Sequence, residues 1–153
     1  MADILVPLNG HVRVRAWEKQ EDGTEKEVYD KTIKNLIVDA GKHSILKYIG
    51  NISGGGYANQ VGVGDSTTAA AAGQTDLQAS SNKYWKSIQA ADRILLGETI
   101  YLSVDFGYTE GNFTWNELGL RDNNNVMYAR QIDSSPFVKT NQKRAIVEWQ
   151  LSL

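Results

Sequence analysis

Few residues in this chain could carry out chemistry, and their spacing is poor for it. The stretch QVGVGDSTTAAAAGQTDL, 60–77, is rich in glycine and hydroxyl side chains, as phosphate-cradling loops are. A Walker-type loop reads G-x-x-x-x-G-K-[ST], because the lysine reaches the phosphates and the hydroxyl holds magnesium. GVGDSTT has no lysine, and G-x-G-x-x-G also fails, since Gly62 and Gly64 are followed by Thr67. A β-turn and a polar surface loop account for the stretch. Metal ligation has little to work with. There are no cysteines, and His11 and His43 each lack a second ligand at useful spacing. Asp122-Asn123-Asn124-Asn125 lacks the glycine and terminal glutamate of an EF-hand loop, which leaves only a surface calcium ion at Asp65 or at that turn. No cofactor is expected.

Hydrolytic chemistry fares no better. Asp105, Glu110 and Glu117 could be imagined as paired carboxylates, but alternating strands expose such residues routinely. No G-x-S-x-G elbow is present, and two histidines leave few ways to build a Ser/His/Asp triad. Glu117 is the carboxylate that stands out, because it lies between Trp115 and Leu118 in a hydrophobic run. Strict alternation puts Glu117, Gly119 and Trp115 on one face, opposite Leu118 and Leu120. Glu117 is then either a solvent-facing acid beside a small residue or a structural carboxylate bonded to an arginine such as Arg130. The second arrangement fixes register and performs no chemistry. The expectation is a protein that is not an enzyme.

The elements that must position these residues are mostly strands. In HVRVRAWEK, Val12, Val14 and Ala16 share one face and Arg13, Arg15 and Trp17 the other. Asp22-Gly23 marks a turn, with a return strand beginning near Val28. TIYLSVDFGY sets Ile100, Leu102, Val104 and Phe106 on one face, and RAIVEWQLSL sets Ala145, Val147, Trp149, Leu151 and Leu153 inward. QVGVG, NKYWKSIQA, NFTWNELGL and VMYARQI are shorter candidates, the last two joined by the turn-rich RDNNN. VDAGKHSILKYIGN alone reads as a helix, with Ile45, Leu46 and Ile49 clustered, Asp39 as N-cap and Gly50-Asn51 as stop. About eight strands and one short helix predict a mainly β protein, an antiparallel β-sandwich of jelly-roll type. The expected division is an N-terminal arm, 1–10, and a single sandwich domain, 11–153.

Composition narrows the partners. With 153 residues, 41% apolar and 22% charged, the chain suits one soluble globular domain. Its formal charge of −2 is spread without a basic stripe, which argues against nucleic acid. No apolar run approaches the roughly 20 residues of a membrane span, so no membrane partner is expected. MADILVPLNG lacks the charged and apolar regions of a secretory signal, which predicts synthesis in a cytoplasm.

Four segments occur in a telling order: NLIVDAGKHSILKYIGN (35–51), QVGVGDSTTAAAAGQTDL (60–77), TWNELGLRDNNNVMYAR (114–130) and KTNQKRAIVEWQLSL (139–153). Together they resemble a group of small tailed-bacteriophage structural proteins and fibre-associated domains. Asn35, Gly41, Gly62, Gly64, Thr75, Leu77, Glu117, Gly119, Leu120, Arg130 and Lys139 stand at the matching positions. The group's T-x-L is often followed by an acidic residue and an arginine, whereas Leu77 here leads into QASSNK. The resemblance implies a non-catalytic virion protein, made in the bacterial host cytoplasm. A capsid cement or decoration protein that bridges neighbouring subunits is the first reading. A tail, baseplate or fibre-associated adaptor, with a carbohydrate or receptor role, is the alternative. Its partners would be the major capsid protein or tail proteins, and it would self-associate, for instance as a trimer. Expected contacts are Ile4, Leu5, Val6 and Leu8 of the arm and Asp65, Thr67, Thr68 and Gln74 of the loop. Glu117, Gly119 and Arg130 form the structural motif. A sugar-binding module would instead present an aromatic ring such as Trp17 or Trp85.

Overall fold

Apolar alternation drives two sheets to pack face to face. A computed structural model of the chain describes residues 8–153. Its strands are β1 (Asn9–Lys19), β2 (Glu25–Lys34), β3 (Leu36–Ile37), β4 (Ala58–Gly64), β5 (Lys83–Ser87), β6 (Arg93–Leu96), β7 (Thr99–Phe106), β8 (Thr114–Asp122), β9 (Met127–Val138) and β10 (Lys143–Ser152), with one α-helix, α1 (Asp39–Ile49). One sheet has the order β2-β1-β10-β7-β6 and the other β3-β9-β8-β4-β5, with antiparallel neighbours throughout. The first and last strands lie side by side in one sheet, and the chain crosses to the other at β3. The architecture is the expected antiparallel β-sandwich with a single helix. The short strands β3 and β6 bring the count to ten.

Between the sheets, Val12, Val14, Ala16, Leu102, Val104, Phe106, Ala145, Val147, Trp149 and Leu151 meet Val61, Val63, Leu118, Leu120 and Ala129. Phe106, Trp115 and Phe137 add edge-to-face ring contacts at 5.1 and 5.2 Å. Such contacts contribute about 0.5–1.5 kcal/mol each beyond area burial. Among the described residues no helix is long and apolar enough to cross a membrane.

The structure corrects several local expectations. Trp115 is not on the face of Glu117. The β8–β9 register shifts between Trp115 and Glu117, and this bulge turns Trp115 into the core beside Leu118 and Leu120. Leu153 lies beyond the last ladder pair and is 67% exposed. The return strand of the first hairpin starts at Glu25, before Val28. Asn9 and Gly10 pair with Ser152 and Leu151, so β1 begins inside the segment expected to be an arm. Val38, not Asp39, occupies the N-cap, and Asp39 stands in the first turn, where a negative charge suits the helix dipole.

The apolar face of α1 is also redistributed. Gly41 and Ser44, one turn apart, form its close contact with β9, and a Cβ on Gly41 would stand 2.4 Å from the Tyr128 carbonyl oxygen. With these small residues inward, Ile45 packs at the edge of the core, while Leu46 and Ile49 stay 65% and 76% exposed. Ser44 also anchors the helix chemically. Its hydroxyl donates to Asp122 Oδ2 and accepts the Gly56 N–H at 3.0 Å. Asp122 Oδ1 accepts the N–H groups of Asn124 and Val126, both at 2.8 Å, and the Tyr128 hydroxyl donates to the Gly56 carbonyl. Ser44→Ala removes the donor to a buried carboxylate oxygen. The expected loss is about 1–3 kcal/mol of unfolding free energy, read from urea denaturation.

Candidate functional site

The GVGDST stretch ends β4 and starts a long surface segment, 65–82, that lies across the outer face of the β4–β8 pair. This segment has no regular secondary structure, so its backbone needs partners from elsewhere. Glu117 supplies them. Its Oε1 accepts the Ala79 N–H at 2.8 Å, and its Oε2 accepts the Gln78 N–H at 2.9 Å and Arg130 Nε at 2.7 Å. Both side chains of the ion pair are fully buried. Arg130 reaches on to Gln74 Oε1 at 3.0 Å, and Gln74 in turn accepts the Ala71 N–H and donates to the Ala69 carbonyl. At its middle, the Ala72 carbonyl accepts the N–H of Asp39 at the start of α1 (2.9 Å). Asp65 accepts from Asn82 Nδ2, and Lys83 pairs with Asp76.

Glycines make room for this arrangement. A Cβ on Gly64 would stand 2.3 Å from Glu117 Oε1, and one on Gly119 would meet Leu77 and the Trp85 ring at 2.8 and 2.9 Å. Leu77 thus settles against Gly119 of the sheet, and both Leu77 and Ala79 are buried. The Trp85 ring lies over Gly62 and Gly119, with the Arg121 guanidinium 4.3 Å from its centroid.

This geometry leaves Glu117 without a free role as acid or base, since both oxygens are filled by fixed donors. The other two carboxylates of the imagined set, Glu110 and Asp105, are also engaged. Glu110 pairs with Lys86 at 2.7 Å, and Asp105 with Arg144 at 3.4 Å. Among the described residues no three histidine, aspartate or glutamate side chains form a group able to hold a metal ion. The chain matches no protein-family model, no curated protein and no solved structure. Its chemistry has to be read from its own residues.

The expected contact residues divide. Ile4, Leu5 and Val6 lie outside the described residues. Leu8 is half-buried against the core and so is not part of a free arm. Thr67 and Thr68 are exposed, whereas Asp65 spends its side chain within the segment, and Gln74 does so within the segment and on Arg130. Glu117, Gly119 and Arg130 come together, and the solvent-facing reading of Glu117 is overturned by its complete burial. Trp17 and Trp85 do not offer bare rings: Arg15 and Arg144 lie 4.9 and 4.4 Å from the Trp17 centroid, and Arg121 covers Trp85. The residue pattern marked the Asp122 turn only for calcium, and nothing in it pointed to the Ser44–Asp122 bond or to the stacking of Trp85 on glycines, which depend on contacts distant in sequence.

Lys139 is a further buried charge. Its Nζ donates to the Gly107 carbonyl and Asn112 Oδ1, both at 2.8 Å, and to the Thr140 carbonyl at 3.3 Å. Its hydrogen-bond partners are neutral, and burial, only partly opposed by the Glu110 and Asp105 carboxylates, pushes its pKa down from 10.5 to about 8. Between these values the unfolded chain holds a proton that the folded chain gives up. Stability therefore rises with pH through that window. The wild-type protein should gain stability between about pH 8 and 9.5, and Lys139→Met should flatten that slope in urea titrations at each pH.

Glu117→Gln replaces an acceptor by an amide that must point a donor at another donor, and it strands Arg130. The expected cost is about 3–5 kcal/mol. Gly64→Ala, which intrudes on the same carboxylate, should also destabilise, and denaturant midpoints measure both.

Proposed function

We propose that this chain is a non-catalytic structural protein of a tailed-bacteriophage virion, and that it serves as a cement or decoration protein bridging neighbouring capsid subunits. One observation carries the reading: the segments behind the family resemblance are used to hold one another. The helix segment bonds the 60–77 segment through Asp39 and Ala72, and that segment and the two residues after it bond the third motif, Gln74 through Arg130, and Gln78 and Ala79 through Glu117. Lys139 of the fourth ties itself to the loop just before the third. Motifs with that use make a rigid body rather than a reaction centre.

What the rigid body offers outward is a surface of small side chains. Thr67, Thr68, Ala69, Ala71, Ala72 and Gly73 are exposed on a segment fixed from beneath. A pre-ordered surface loses little conformational entropy on docking, and short side chains lose less than long ones. Copies spread over a lattice turn weak single contacts into lasting attachment. A single sandwich without heptads or repeats suits a surface plate better than a long receptor-reaching fibre.

Quantitative mass spectrometry of particles from the encoding phage tests this reading. The expected result is this chain in the particle at a copy number proportional to the major capsid protein. A few copies per particle would assign it to the tail or baseplate, and absence from particles would sink the proposal. Removal of residues 1–7 should weaken attachment while leaving the circular dichroism spectrum unchanged.

A further inference from the structure

The four sheet edges are not protected alike. Strands with a free edge invite pairing with another chain, and proteins blunt them with charge, shortness or cover. At one end of the first sheet, β2 reads EKEVYDKTIK, dense in charge. In the second sheet, β5 reads KYWKS, with two lysines, and β3 has only two residues. The remaining edge, β6, reads RILL. Ile94, Leu95 and Leu96 are 54%, 73% and 68% exposed, and among the described residues β6 pairs only with β7. Alternation makes both faces of this edge apolar. Ile94 and Leu96 lie on the outer face, where Ile94 pairs with Tyr101, and Leu95 lies on the other beside Ile100.

The apolar surface continues past the edge. Leu95, Leu46, Ile49, Ile100, Leu151 and Leu153 line a groove of about 610 Å³ at this end of the sandwich, into which Arg93 and Glu98 also face. We propose that β6 is a self-association edge, and that a second copy of this chain pairs its own β6 antiparallel to it across a twofold axis. The surface is complementary to itself. An antiparallel pair lays the apolar residues of one β6 against those of the other. On the groove side it also brings the Arg93 end of one strand beside the Glu98 end of its mate, whereas a parallel pair would set like charge against like. The Arg93 guanidinium is held by the neutral Ala58 and Ile88 carbonyls and Asn59 Oδ1, which leave its charge unbalanced. The exposed side chains of α1 widen the contact beyond four hydrogen-bonded residues. This inference does not rest on a virion role.

Light scattering coupled to size-exclusion chromatography, run over a wide concentration range on the full chain, tests it. Wild type should run as a dimer, and Ile94→Lys with Leu96→Lys should raise the dissociation constant at least tenfold. Both positions are exposed, so circular dichroism and the melting temperature should stay unchanged. Because the chain has no cysteine, a spin label on Ile94→Cys reports the geometry directly. The interspin distance should be short there and long for a label on Thr32→Cys, on the opposite edge of the sheet. A dimer that survives the lysine pair, or a long distance at position 94, overturns the proposal. A wild-type monomer at every concentration overturns it too. If removal of residues 1–7 then yields the dimer, the edge belongs to the N-terminal segment of the same chain.

Discussion

The Glu117–Arg130 pair is the constraint around which the second sheet is organised. Removing two full charges from water costs several kcal/mol per ion, and Coulomb attraction alone rarely offsets it. Here much of the deficit is met by geometry, through Nε and one of the two terminal nitrogens of the guanidinium. The carboxylate collects two backbone N–H groups besides the guanidinium, and the guanidinium reaches Gln74. Each of those bonds requires the 65–82 segment to lie where it does. That position in turn requires a glycine at 64, so that the backbone can pass over the carboxylate, and at 119, so that Leu77 and Trp85 can settle. Charge burial, loop conformation and glycine placement are thus one arrangement seen from three sides.

A second polar knot does comparable work at the helix. Among the described residues Asp122 has no cationic partner; a hydroxyl and two N–H groups satisfy it, and through them it holds α1 and the β8–β9 turn. Lys139 is the cationic counterpart, held by oxygens of neutral groups. These buried charges, Glu117, Arg130, Asp122 and Lys139, are not part of the apolar core between the sheets, which is filled by alternating side chains. Hydrophobic burial specifies that there are two sheets, and directional bonds specify how the connections lie on them.

Much of the sandwich was legible in the residue order, because period-two alternation in β1, β7 and β10 reports the inner face directly. The exceptions have physical causes. Trp115 changed faces because a bulge breaks the period, and nothing local in TWNELG announces one. Leu46 and Ile49 read as a buried helix face, yet Gly41 and Ser44 allow closer approach and take that place. The bond between Glu117 and Arg130 was one of two readings open from the strand pattern. Its wider network was not legible, since Gln78 and Ala79 lie 39 and 38 positions away. Alternation gives no weight to such distant backbone donors.

The dependence of the 65–82 segment on β8 and β9 also makes its path conditional. Its anchors are a carboxylate and a guanidinium that become neighbours only when β8 and β9 have paired. Pairing of β4 with β5 closes the loop without them, but leaves Gln74, Gln78 and Ala79 without these partners. A lesion in the β8–β9 hairpin therefore reaches the outer plate directly, although the two are far apart along the chain.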